Sequence, residues 1–120
     1  MTRFAVEVVR EPEYAIFRTD GYINNLGAER IEQEYDALVA GGCRHFVINF
    51  EKSPIINSMG LAILLGIIEK NLTTQGVIAF CCLTEVNEET MEIMDISQYV
   101  TLLKTEEDAR RMMEERVGGR

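Results

Sequence analysis

The chain has 120 residues, 47% hydrophobic and 27% charged, with 20 acidic against 12 basic side chains and a formal net charge of −8. That length fits one domain with a core large enough to need no metal or disulfide staples, and the acidic balance excludes the basic face that nucleic acid or an anionic membrane surface requires. No apolar run reaches the roughly 18 residues of a membrane span, and the N-terminus turns charged and alternating too early for a secretory signal, so a cytoplasmic protein is expected.

The first segment, "RFAVEVV" (3–9), alternates, with Phe4, Val6 and Val8 on one face. After a turn marked by Pro12, "YAIFRTD" (14–20) sets Tyr14, Ile16 and Arg18 opposite Ala15 and Phe17. So tight a connection predicts antiparallel neighbours. Past Gly21, "NLGAERIEQEYDALVAGG" spaces Ile31, Tyr35, Leu38 and Val39 along one helical stripe, and Gly41 and Gly42 stop it. "HFVINF" (45–50) and "VIAFCCL" (77–83) are apolar strands of the kind buried on both faces of a parallel sheet. Between them, residues 54–70 and a few beyond form a second helix ending near Gly76, which makes a right-handed βαβ unit.

Cys81 and Cys82 should point to opposite faces as small hydrophobes, and with Cys43 they form an odd set without zinc spacing. "NEETMEIMDI" (87–96) reads as a short helix burying Met91 and Met94, and "YVTLL" (99–103) as an edge strand. Thr105 followed by Asp108 is a capping-box pattern, and it opens a last helix with Ala109, Met112, Met113 and Arg116 on one face. The only local basic excess, Arg110 with Arg111, is flanked by acids. The terminal "VGGR" is expected to fray, so the domain covers 1–117, with 118–120 as a tail. The order β-β-α-β-α-β-α-β-α predicts an α/β fold: a mixed, mostly parallel sheet of about five strands with about four helices packed on it.

The stretch "PIINSMGLAILLGIIEK" (54–70) raises the functional question. Leu61 to Ile68 carry no polar side chain and cover every direction around a helix axis. Leu61, Leu64, Leu65, Ile68 and Leu72 make the natural core stripe, which leaves Ile63 and Ile67 towards a neighbouring helix or a docking partner. Asn57 and Ser58 are both good N-cap residues, and first-turn amides favour negative charge. Ser58 is therefore either a cap or a hydroxyl whose phosphorylation the fold would tolerate and a partner would not.

"FVINFEKSPIINSMGLAILLGIIEK" resembles the signature of the STAS domain, as found in anti-sigma-factor antagonists. In that family a strand leads to an Asp-Ser-Ser-Gly-Leu motif at a helix start; here the positions hold Asn57, Ser58, Met59, Gly60 and Leu61. "GYIN" (21–24) is similar to the family's glycine-led strand end, with Asn24 where an aspartate is usual. The resemblance covers nearly the whole chain. It implies a protein that binds an anti-sigma factor with serine-kinase activity, is phosphorylated at Ser58, and then dissociates. The kinase supplies the ATP and the chemistry. Asn24, Asn57, Ser58, Met59, Gly60 and an outward Ile63 are the implied partner contacts.

The departures are specific: both aspartates are asparagines, and Met59 leaves Ser58 as the only hydroxyl of the motif. The same resemblance allows a scaffold or an accessory subunit of a signalling complex or lipid transporter, with Ser58 only a cap. A free apolar face also leaves room for a homodimer.

Catalysis is not expected. The one histidine, His45, opens a buried strand, Ile56 stands where a nucleophile elbow needs glycine, and no phosphate-binding glycine loop is present. "EVNEE" and "TEEDA" read as solvated helix starts. No cofactor and no metal site is expected.

Overall fold

The computed structural model describes residues 3–118; Met1, Thr2, Gly119 and Arg120, and with them the last two residues of the expected frayed tail, lie outside the described residues. Strand β1 (Ala5–Arg10) pairs antiparallel with β2 (Ala15–Asp20), Ala5 opposite Asp20 and Arg10 opposite Ala15. From β2 the sheet grows in parallel through β3 (Phe46–Lys52), β4 (Ile78–Cys81) and β5 (Thr101–Leu103). The strand order follows the chain order, β1-β2-β3-β4-β5, as expected of an antiparallel pair extended by successive βα units.

Helices α1 (Asn25–Ala40), α2 (Ser58–Thr73) and α3 (Glu85–Ile93) contribute to the core on one face of this sheet, and α4 (Glu106–Met113) contributes to a second core on the other. In the first core Ile31, Tyr35, Leu64, Ile68 and Met91 meet Phe17, Phe46, Ile48 and Phe80. Its aromatic rings interlock: Phe17 and Phe46 stack with centroids 5.5 Å apart, and Phe50 and Phe80 meet edge to face at 5.0 Å. In the second core Ala109 and Met113 of α4 join Tyr14, Ile16, Val47 and Ala79. This is the mixed, mostly parallel α/β domain that the order of elements predicts.

The structure rotates α2 from its expected setting. Its buried line is Gly60, Leu64, Ile67, Ile68 and Asn71, while Leu72, expected in the core, is 46% exposed. The reason is polar. Asn71 Nδ2 donates to the Arg44 carbonyl oxygen at 2.9 Å, where α2 hands over to β4, so an asparagine takes the inward place that hydropathy assigns to its leucine neighbour.

Other expectations are corrected in the same way. Met94 is exposed, because α3 ends at Ile93 and the chain turns through the left-handed Asp95 (φ +60) into a short 3-10 turn. Cys82 does not face across the sheet from Cys81; it lies past the end of β4 at φ +65. Val117 does not fray: it closes the second core after a wide helical turn at Glu114–Gly118.

Candidate functional site

The C-terminal ends of β2 and β3 deliver the chain into two loops that touch. Ile23 of the first loop pairs with Ile56 of the second in an isolated parallel bridge. Its N–H donates to the Ile55 carbonyl, and the Asn57 N–H donates back to the Ile23 carbonyl, both at 3.0 Å. Each loop then starts a helix through an asparagine. Asn24 Oδ1 accepts from the Gly27 N–H at 3.0 Å to cap α1, and Asn57 Oδ1 accepts from the Gly60 N–H at 2.8 Å to cap α2. The helix starts are pressed together at Gly60, where a Cβ would collide with the Ile23 carbonyl and stand 3.1 Å from the Asn24 carbonyl oxygen.

Ser58 is the first residue of α2 and is exposed. The capping oxygen belongs to Asn57, so the alternative in which Ser58 is the cap is set aside. Among the described residues, no side-chain hydrogen bond given by the structure engages the Ser58 hydroxyl.

The electrostatics of the two starts are unusual for so acidic a chain. The first turns of α1 and α2 carry no acid, whereas α3 opens with Glu85 and Glu88 and α4 with Glu106, Glu107 and Asp108. The partial positive charge of the amides around Ser58 is thus not offset by an acid in the helix's own first turn.

The six sequence-predicted positions fall at this one end of the sheet. Asn24 and Asn57 are half-buried caps, Gly60 is the buried close approach, and Ser58 and Met59 are exposed, Met59 at 59%. Ile63 is half-buried and packs against the main core instead of standing clear of it. The exposed apolar groups at the helix tips are others, which the sequence reading missed: Tyr22 (49%), Leu26 (68%) and Ile55 (61%). Leu26 carried a legible signal, since it falls off the stripe of Ile31, Tyr35 and Leu38. Ile55 carried none, because a loop has no period to violate.

Two further titratable groups, His45 and Glu106, tie elements of the fold together. His45, just ahead of β3, accepts the Val77 N–H through Nδ1 at 3.0 Å, tying the starts of β3 and β4 together. Burial pushes the thiols of Cys43, Cys81 and Cys82 above the usual range, which disfavours the reactive thiolate. "TEEDA" is not merely a solvated helix start. Glu106 receives Arg18 Nε and Nη2 at 2.9 and 2.8 Å, Asn49 Nδ2 at 2.9 Å and Arg110 Nε at 3.3 Å. Among the described residues, no group of three or more His, Cys, Asp or Glu is arranged to hold a metal ion, and no helix is long and apolar enough to cross a membrane.

Comparison with known proteins matches residues 5–109 to the family described as STAS domain. A Bordetella bronchiseptica protein, BtrV, named as a candidate anti-sigma factor antagonist, is 28% identical over 82 residues, 68% of each chain. Among solved structures, an anti-sigma factor antagonist from Mycobacterium paratuberculosis superposes with a TM-score of 0.77 at 21% identity, covering 92% of this chain and 93% of that one. The Bacillus cell fate determinant SpoIIAA in its phosphorylated form superposes with a TM-score of 0.72 at 17% identity, covering 90% of this chain and 99% of that one.

Proposed function

This chain belongs to the STAS domain family, and from that membership we propose that it is an anti-sigma-factor antagonist, a non-catalytic cytoplasmic protein that docks an anti-sigma factor with serine-kinase activity and is released by phosphorylation at Ser58. The observation that carries the proposal is the state of the α2 start: an exposed hydroxyl at its first position, a cap supplied by the neighbouring Asn57, and a first turn without acid. The likeness to BtrV, and to SpoIIAA in its phosphorylated and unphosphorylated forms, supports the same reading.

The docked state uses Met59 and Ile55 as apolar contacts around a small uncharged hydroxyl. In the transfer step the Ser58 oxygen bonds to the γ-phosphorus of the kinase's ATP, the bond to the β-γ bridging oxygen breaks, and the hydroxyl proton passes to a base on the kinase. ADP leaves. The new group brings nearly two negative charges. The α2 amides accept them, so the fold survives, while a partner surface matched to a hydroxyl does not.

The test is an in vitro reaction of the chain with ATP and the serine-kinase anti-sigma factor of its host, followed by peptide mapping and by calorimetry with Ser58→Ala and Ser58→Asp. One phosphoryl group at Ser58, binding retained by Ser58→Ala and lost by Ser58→Asp, is the expected result. Modification elsewhere, or equal binding by both variants, overturns the switch.

A further inference from the structure

Beside the α1 cap the surface opens into a notch whose lining runs against the charge of the whole molecule. Its walls are Phe4, Tyr22 and Leu26, and its rim carries Arg3 and Arg30. No carboxylate lines it, in a chain of net charge −8.

A glycine lets the notch form, and a second shapes the turn beside it. A Cβ on Gly27 would stand 3.1 Å from Phe4 Cδ1, and one on Gly21, whose φ is +118, would stand 3.6 Å from the same atom. The Phe4 ring can lie against the start of α1 because Gly27 lacks a side chain, while the positive φ of Gly21 is what favours glycine in the turn beneath it. Tyr22 and Leu26 are 49% and 68% exposed, so the walls face water. Arg30 Nε faces Glu34 at 3.5 Å, one turn further along α1, and its side chain is 47% exposed. A guanidinium so placed can still present its remaining N–H groups to an incoming carboxylate. Asn24 lines the same notch while its carbonyl borders Gly60, which sets the notch alongside the α2 tip and Ser58.

We infer that this notch receives an apolar side chain borne next to a carboxylate on the protein partner that docks at Ser58. The inference rests on the docking reading above and adds what that partner must present. The apolar walls supply the anchor and exclude water, and the two arginines select an acidic flank and repel a basic one. A partner with a basic face would find its complement in the net charge of this chain, but not in this notch.

The test is an NMR titration of the isotope-labelled chain with two blocked peptides, Ac-Glu-Leu-Phe-Glu-NH2 and Ac-Lys-Leu-Phe-Lys-NH2, and with 4-phenylbutyrate. The acidic peptide should shift the amides of Phe4, Tyr22, Leu26 and Arg30, and the basic one should not. Arg30→Glu should weaken the acidic peptide by about tenfold and make the basic peptide the better ligand. Leu26→Gln, at an exposed position, should weaken both. Shifts scattered over the surface, equal binding of the two peptides, or indifference to Arg30→Glu would overturn the assignment. So would tighter binding of 4-phenylbutyrate than of the acidic peptide, which would make the notch a small-amphiphile site. The peptide titration reads the notch without the kinase or ATP and peptide mapping reads Ser58 itself, so a failure here is separable from a failure of the phosphorylation switch.

Discussion

Asn24 and Asn57 hold the first turns of α1 and α2 by the same bond, side-chain oxygen to the amide three residues on, at 3.0 and 2.8 Å. Their loops are joined by the Ile23–Ile56 bridge. Two helix starts therefore stand side by side, each capped by a neutral amide and neither carrying an acid in its first turn. A cap that satisfies an amide without neutralising the helix end leaves room there for an added negative charge.

That relationship makes a prediction about charge. Asn57→Ala removes the acceptor for Gly60 and should cost about 1 kcal/mol of stability. Asn57→Asp keeps an acceptor oxygen and adds the missing charge, so it should stabilise by about 0.3 to 1 kcal/mol at low ionic strength and lose most of that gain in high salt. Urea unfolding at two salt concentrations checks both. A destabilising aspartate would mean that the surrounding acids already set a negative potential at this tip.

Ser58 should behave as a residue the fold does not use. Both Ser58→Ala and Ser58→Asp should unfold within about 0.5 kcal/mol of the wild type, since the cap is Asn57 and the side chain is exposed. The same pair should differ on the order of a hundredfold in affinity for the anti-sigma partner, the size of a like-charge or desolvation penalty at a contact. A loss of stability in Ser58→Ala would show instead that the hydroxyl serves the fold.

Gly60→Ala should be costly for a reason that helix propensity does not contain. Alanine in a helix gains about 1 kcal/mol over glycine. Here its Cβ would meet the Ile23 carbonyl, backbone that cannot rotate away. The net expectation is destabilisation of about 2 kcal/mol, with the start of α2 displaced and partner binding reduced. Thermal unfolding and the amide spectrum of residues 56–63 report both effects; a more stable variant would show that the two loops can part freely.

The site was legible in the sequence where local chemistry sets structure. Residue type marked Asn57 as a candidate cap and the apolar period placed both helices, whereas Asn24 and Gly60 were picked out only by the resemblance to the STAS signature. Legibility failed where a polar tertiary bond outranked hydropathy. Leu72 is the better core residue on any scale, yet Asn71 turns inward because the Arg44 carbonyl needs a donor at the end of α2. It failed again where one residue joins distant segments. Nothing in "TEEDA" separates Glu106 from Glu107, because its partners Arg18 and Asn49 are 88 and 57 residues away in sequence.

Glu106 accordingly carries the clearest pH dependence. Arg18, then Asn49 and Arg110, hydrogen-bond its carboxylate and hold its pKa near 2 against the burial that opposes them, from an ordinary value of 4.5. A carboxylate depressed in the folded state binds its proton more readily when unfolded. Its stabilisation is therefore complete above about pH 4.5 and drains away as the pH falls towards 2. Its side chain is only 19% exposed, but that of Arg18 is 39% exposed, so part of the interaction is screened. About 2 kcal/mol is the expected difference between wild type and Glu106→Gln at pH 7, shrinking through the acid window to near zero. Urea unfolding from pH 7 to pH 2 tests this directly. A difference that stayed constant with pH would assign Glu106 to packing rather than to charge. A collapsing one would identify the Arg18–Glu106–Asn49 contact as the bond that docks α4 against the outer face of the sheet.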